Sequence, residues 1–167
     1  MKRLTKFIVA LSAMTILFSV PVLATEKTFE AEIAMINNHV AEVEKQVDAL
    51  TPKESGFNDW NTLNAHRRKV MDQTLSWAEA EFDNYILFIQ GEEALDKENV
   101  RIKMRNVGSL TDLCKVNPAF QPQLEQAKKE VSLAMANVNV RTSEIALCRK
   151  LKEAQMNAIK EKQASYK

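Results

Sequence analysis

FEAEIAMINNHVAEVEKQVDAL, residues 29–50, decides the fold. Phe29, Ile33, Ile36, Val40, Val43, Val47 and Leu50 recur at alternating steps of four and three. Only a helix brings residues so spaced onto one face, and a strict seven-residue period is the seam of a coiled coil. β-Branched Ile33, Val40 and Val47 fill one seam position. Thr51-Pro52 ends the helix, because proline lacks an amide donor and restricts the residue before it. The stretch Lys53 to Phe57 reads as a loop.

Working outward, the pattern repeats. Asn58 or Asp59 can cap a second helix by accepting from its free first-turn amides. Its stripe is Met71, Leu75, Ala78, Phe82, Tyr85 and Ile89, with Trp60, Leu63, Val70 and Trp77 as a second apolar strip. Gly91 suits the residue just past a helix end. A third helix follows, with Val100, Met104, Val107, Thr111 and Cys114 in line and an interruption at Gly108-Ser109. Pro118 and Pro122 mark a corner. A last helical region, 121–163, carries Leu124, Val131, Met135, Val138, Ile145, Cys148, Leu151 and Ile159. The chain has only three glycines and four prolines, far fewer than sheets and loops require. The expected fold class is all-α: an up-and-down helical bundle of four segments with long, partly coiled-coil-like helices.

The N-terminus has a different character. Lys2, Arg3 and Lys6 precede an uncharged apolar run, Phe7 to Val20; Pro21 then breaks it and Val22-Leu23-Ala24 offers a cleavage site. That is the layout of a secretory signal peptide, residues 1–24. Residues 25–167 then form a single helical-bundle domain, exported to the periplasm or, failing that, secreted. The apolar run is shorter than the ~20 residues that span a bilayer, and nothing after it approaches that length. So no integral membrane segment is expected once the signal is removed.

The whole chain carries 23 Lys+Arg and 22 Asp+Glu. Removing the signal leaves 20 and 22, a net charge of −2. No basic excess of the kind that binds nucleic acid is present. The charge is polarised, however. Residues 26–50 hold six acids and two lysines, whereas residues 149–167 hold six basic residues and two acids. Opposite fields of that size favour packing of the first helix against the last.

No constellation points to catalysis, so the chain reads as a non-enzyme needing no cofactor. A carboxylate di-metal bundle needs Glu-x-x-His twice, but Ile36 and Leu63 stand three before His39 and His66. Covalent haem would need Cys-x-x-Cys-His. Met35 and His39, four apart, are the only pair suggesting copper or haem, and they support an alternative reading as a ligand-, metal- or haem-binding bundle. His66-Arg67-Arg68-Lys69 spans a full helical turn, so its charges cannot all face one partner; it reads as a solvated turn. Leu50-Thr51-Pro52-Lys53-Glu54 and Leu110-Thr111-Asp112-Leu113-Cys114 resemble the Leu-Thr-x-x-Gln signature of small periplasmic helical chaperones. Glu54 and Cys114 stand where that signature has glutamine, and no family is assigned on them.

Tyr85-Ile86-Leu87-Phe88-Ile89 is the candidate partner surface. Five consecutive apolar residues on a helix point in every direction, so they are either buried all round or partly exposed for a partner. The expected mode of action is therefore contact with a protein partner, as an accessory subunit, adaptor or chaperone-like binder, with self-association left open. Finally, an exported chain with two cysteines is expected to pair them. A Cys114–Cys148 disulfide requires the last helix to bend or break near Asn137-Val138-Asn139, because the bond needs Cα atoms within ~7 Å.

Overall fold

In the computed structural model the backbone is described from Leu23 and the side chains from Phe29. The signal segment read at residues 1–24 thus lies outside the described side chains. The chain divides into two units, Met1–Glu32 and Ile33–Lys167. Of the first, the described part is the opening turns of one helix. The second holds the bundle, and all that follows concerns it.

The described elements are α1 (Leu23–Ala49), α2 (Pro52–Ser55), α3 (Trp60–Val116), a 3₁₀ turn (Pro118–Phe120) and α4 (Gln121–Ser165). No strand occurs among the described residues. The architecture is the expected up-and-down helical bundle, but with three long helices where four segments were read. α3 runs unbroken through Gly91 and Gly108, and α4 runs unbroken through Asn137 and Asn139. A mid-helix glycine costs only ~1 kcal/mol relative to alanine, less than continuous packing along a partner helix supplies. At ~1.5 Å per residue α3 is about 85 Å long.

Local signals set the ends. Thr51 caps α2, with Pro52 in its first turn, so the expected loop at 53–57 holds one helical turn. Gly56 closes that turn at φ 75°, a conformation costly for any residue with a Cβ. The Asp59 carboxylate accepts from the Thr62 amide at 2.7 Å and starts α3. Asn117 ends it, its side chain accepting from the Ala119 amide within the turn that reverses the chain.

α3 and α4 lie antiparallel. Lys152 reaches Asp83 at 2.7 Å, Thr142 donates to Glu93 at 2.6 Å, and Lys103 meets Glu130 at 2.9 Å. From Ile33 onward α1 lies against the first half of α3 and the last part of α4. Ile33, Ile36, Val40 and Val47 of the sequence-read seam are buried; so are Leu63, Met71, Ala78, Phe82 and Ile89 of α3 and Ile145, Cys148, Met156 and Ile159 of α4. The expected pairing of first and last helices is present: Lys162 and Asp48 are 2.5 Å apart, and the Tyr166 hydroxyl donates to Asp48 at 2.7 Å.

Arg67, read as part of a solvated turn, is 9% exposed. Its guanidinium donates to three backbone carbonyls at the end of α1: Val47 (3.1 Å), Asp48 (3.4 Å) and Leu50 (2.6 Å). These are the acceptors a helix C-terminus leaves without partners, at its partly negative pole. The guanidinium carbon also lies 5.6 Å from the Trp60 ring centre and 5.4 Å from that of Tyr166, within cation–π range. Beside it, Arg68 donates to the Tyr166 carbonyl at 2.6 Å, and Asn64 donates to the Lys167 carbonyl. One turn of α3 therefore holds both the end of α1 and the end of α4.

Arg67→Ala is expected to destabilise the bundle by about 3 kcal/mol, since hydrogen bonds to a charged group contribute ~1.5–3 kcal/mol and their loss leaves carbonyls unpaired. That corresponds to a fall in Tm on the order of 10 °C. Arg67→Lys should restore only part of it, because an ammonium lacks the planar fork. Thermal unfolding of the three proteins by circular dichroism checks both statements.

A second prediction concerns acid. Burial disfavours the Asp48 charge, but hydrogen bonds from Lys162 and Tyr166 outweigh it and hold the carboxyl below its ordinary value. Its contribution is present above about pH 4 and is lost as pH falls through the lowered folded value. Glu44 is pushed the other way, chiefly by burial and against the pull of Lys162. Its ionised form is disfavoured in the fold, so Glu44→Gln should stabilise at pH 7 and have no effect at pH 3. Asp48→Asn should destabilise at pH 7 and flatten the acid limb. Urea midpoints across pH 2.5–7 measure both.

Candidate protein-contact surface

Every buried residue of α3 lies between Leu63 and Ile89. Beyond that point α3 and α4 continue as a pair, and two helices can cover only one side of each other. Their contact is a seven-residue seam of half-buried Val100, Lys103, Val107, Leu110 and Cys114 on α3. On α4 it holds buried Leu124, Ala127 and Ala134. The sequence reading placed Met104, Thr111 and Met135 inward, and all three are exposed. Lys103 takes the place expected of Met104, turned inward by its ion pair with Glu130. Ala127 and Ala134 were missed because alanine gives a weak apolar signal. Arg141 also sits in the seam, facing Glu92 (3.6 Å), Asp96 (3.7 Å) and Glu144 (3.1 Å).

Several side chains the seam does not cover are large and apolar. Leu95 is 68% exposed, Ile102 56% and Val116 86% on α3; Leu133 is 66% exposed on α4. The five-residue run read as a partner surface lies where the three-helix end gives way to this hairpin, and the structure divides it. Ile86 and Ile89 are core, Tyr85 is half-buried, and Leu87 and Phe88 face outward. The Tyr85 and Phe88 rings stack with centroids 6.0 Å apart. Leu87 also borders an open groove of about 770 Å³ between α3 and α4, with Ile86 and Met156 on its floor and Arg149, Glu153 and Lys160 on its rim.

The histidines lie against aromatic rings. The His39 ring is 4.1 Å from that of Trp77, and the His66 ring is 4.9 Å from that of Phe57. Met35 is exposed beside His39. Among the described residues no three or more His, Cys, Asp or Glu side chains group as a metal site. Nor is any described helix long and apolar enough to cross a membrane.

The expected Cys114–Cys148 disulfide is not formed; both thiols are free. The reason is the unbroken α4. Cys114 lies just before the Pro118 turn, whereas Cys148 lies about 40 Å beyond it along the helix. The Cys148 thiol is pushed up to about 11, first by burial and then by the nearby Asp83 carboxylate. It is therefore a protonated core side chain at neutral pH.

No protein-family model, curated protein or solved structure matches the chain. Its class is defined by its own geometry, an antiparallel three-helix bundle whose hairpin continues past its third helix with apolar side chains outward.

Thiol titration distinguishes the two cysteines. At pH 8 in buffer, one thiol per chain, Cys114, should react with a disulfide reagent within minutes. Cys148 should react only at the unfolding rate, and both should react at once in denaturant. Non-reducing mass spectrometry should find no intramolecular bond.

Proposed function

We propose that this chain is a non-enzymatic helical protein of the bacterial cell envelope, acting in the periplasm through protein–protein contact. One observation carries this reading: the hairpin formed by the second half of α3 and the first half of α4 exposes large apolar side chains on both helices. Large apolar side chains held out to water on a helix pair offer a surface for a protein partner. Leu87 and Phe88 stand at its near end, where the rigid three-helix part holds their backbone. Aromatic side chains so placed lose little freedom on binding and often dominate an interface. The signal-like residues 1–24 and the net −2 charge of the remainder support export and argue against a nucleic-acid partner.

The test uses the whole chain expressed in a Gram-negative host. The processed protein is expected in the periplasmic fraction with Thr25 at its N-terminus. A photo-crosslinking amino acid at Phe88, Ile102 or Leu133 should trap a protein adduct, and one at the exposed polar position Asp72 should not. An unprocessed chain, or no adduct at any of the three sites, would sink the reading. Added haem or copper raising the melting temperature of the purified protein would favour a ligand-binding bundle instead.

A further inference from the structure

Two packed helices have two long grooves between them, one on each side. In this bundle α1 fills one. It meets α3 at Arg67 and, through His39, at Trp77; it meets α4 at Lys162 and Tyr166. None of these four residues lines the groove of about 770 Å³ beside Leu87, so that groove is the other side of the pair, open to solvent. Its floor is apolar. Ile86 is 8% exposed and Met156 7%, whereas Leu87 at the lip is 65% exposed.

Along α4 the lining residues Arg149, Glu153, Met156 and Lys160 stand at steps of four, three and four; along α3 Asp83, Leu87 and Gln90 stand at four and three. That is the seven-residue spacing of an edge that packs along a further helix, with charged positions flanking an apolar one. The Asp83 carboxylate is taken by Lys152, which also meets Glu79. The side chains of Arg149, Glu153 and Lys160 have no ion-pair or hydrogen-bond partner among the described residues. The groove thus offers a cation at each end and an acid between them, the cations three turns, about 16 Å, apart.

We propose that this groove takes an amphipathic α-helix of another protein, one with two acidic residues three turns apart, a basic residue between them and apolar residues on the same face. This rests on the protein-contact reading above and names the chemistry of the partner. The acids meet Arg149 and Lys160, the base meets Glu153, and the apolar residues cover Leu87, Ile86 and Met156. Apolar burial holds the helix, and the charges, open to water, select it. A lone phosphate or carboxylate would meet one cation beside the Glu153 charge, and a flat bilayer would not reach a floor recessed between two helices. A helix laid along α4 needs its acid, base and acid at steps of four and seven in one direction, or seven and four in the other. No stretch of this chain has either set, so the partner is not a second copy.

The probes are two fluorescein-labelled helical peptides of about 21 residues, three heptads long, with leucine in the apolar positions and the acid–base–acid set in one order or the other. Fluorescence anisotropy with the purified chain should show at least one of them bound, and bound at least tenfold more weakly at 500 than at 50 mM NaCl. Arg149→Glu combined with Lys160→Glu should weaken it at least tenfold and should favour a peptide with its charges inverted. Leu87→Glu should weaken both peptides at least tenfold. The melting temperature should hold in each variant, since these side chains have no partner within the fold. An inverted peptide that binds the unaltered chain equally well, or binding indifferent to Leu87→Glu, overturns the proposal. So does dodecanoate binding that depends on Leu87 and Arg149 where neither peptide binds, which assigns the groove to a small amphiphile. Should neither peptide bind while a crosslinker at Ile102 or Leu133 traps a protein, the groove proposal falls and the protein-contact reading stands. Neither peptide bound and no adduct overturns both.

Discussion

The bundle depends on how its helix ends are satisfied at Arg67. A helix terminus carries unpaired carbonyls, and burying them without partners costs several kcal/mol. Here Val47, in the last turn of α1, is buried, and a single guanidinium donates to the carbonyls of Val47, Asp48 and Leu50. The same group lies between the Trp60 and Tyr166 rings, and Tyr166 in turn donates to Asp48 of α1. The arrangement joins three elements far apart in sequence at one level. Burial also raises the Tyr166 phenol well above its ordinary range, with the Asp48 carboxylate adding to the effect. The phenol is therefore a neutral donor at any physiological pH.

From that junction the rest follows by length. α1 from Ile33 onward is far shorter than α3, so it covers only the first part of the α3–α4 pair. There the core is three-sided, with Ile33, Leu63, Phe82 and Ile159 fully enclosed. Past Ile89 the core is two-sided, and small or polar residues, Ala127, Ala134, Lys103 and Arg141, share its inward positions with Val100, Val107, Leu110 and Leu124. Ion pairs half open to water, such as Lys103–Glu130, contribute little stability, but their geometry fixes register. Charge pairs across the hairpin fix its register, while Leu95, Ile102 and Leu133 are turned outward. A protein that worked alone would gain solubility from polar residues at Leu95, Ile102 and Leu133. Their being apolar is the observation on which the proposed protein contact rests.

The seven-residue periods of α1 and of Met71–Ile89 were legible because most inward positions carry a large apolar side chain, which is what a 3.5-residue period requires. The polarity of residues 26–50 against 149–167 likewise foretold the meeting of α1 and α4. The partner surface was legible only as an ambiguity. Five apolar residues in a row state that some must face outward, and packing alone assigned Leu87 and Phe88 to that side. The inward turn of Lys103 had no local signal, since Glu130 lies across the hairpin.

By itself the sequence determined that the chain is helical, where α1 ends and α3 begins, and that the helices reverse at Pro118. These depend on backbone chemistry and on periods read over a few turns. The tertiary structure alone decided that Gly91, Gly108 and the Asn137–Asn139 stretch do not end helices. A break is local, whereas the packing that overrides it runs along the whole of a neighbouring helix. It decided too that Cys114 and Cys148 stay apart, since their separation is set by the uninterrupted length of α4. And it gave Arg67 its place, because three bare carbonyls at the end of one helix come within reach of a guanidinium only after a second helix is laid against them.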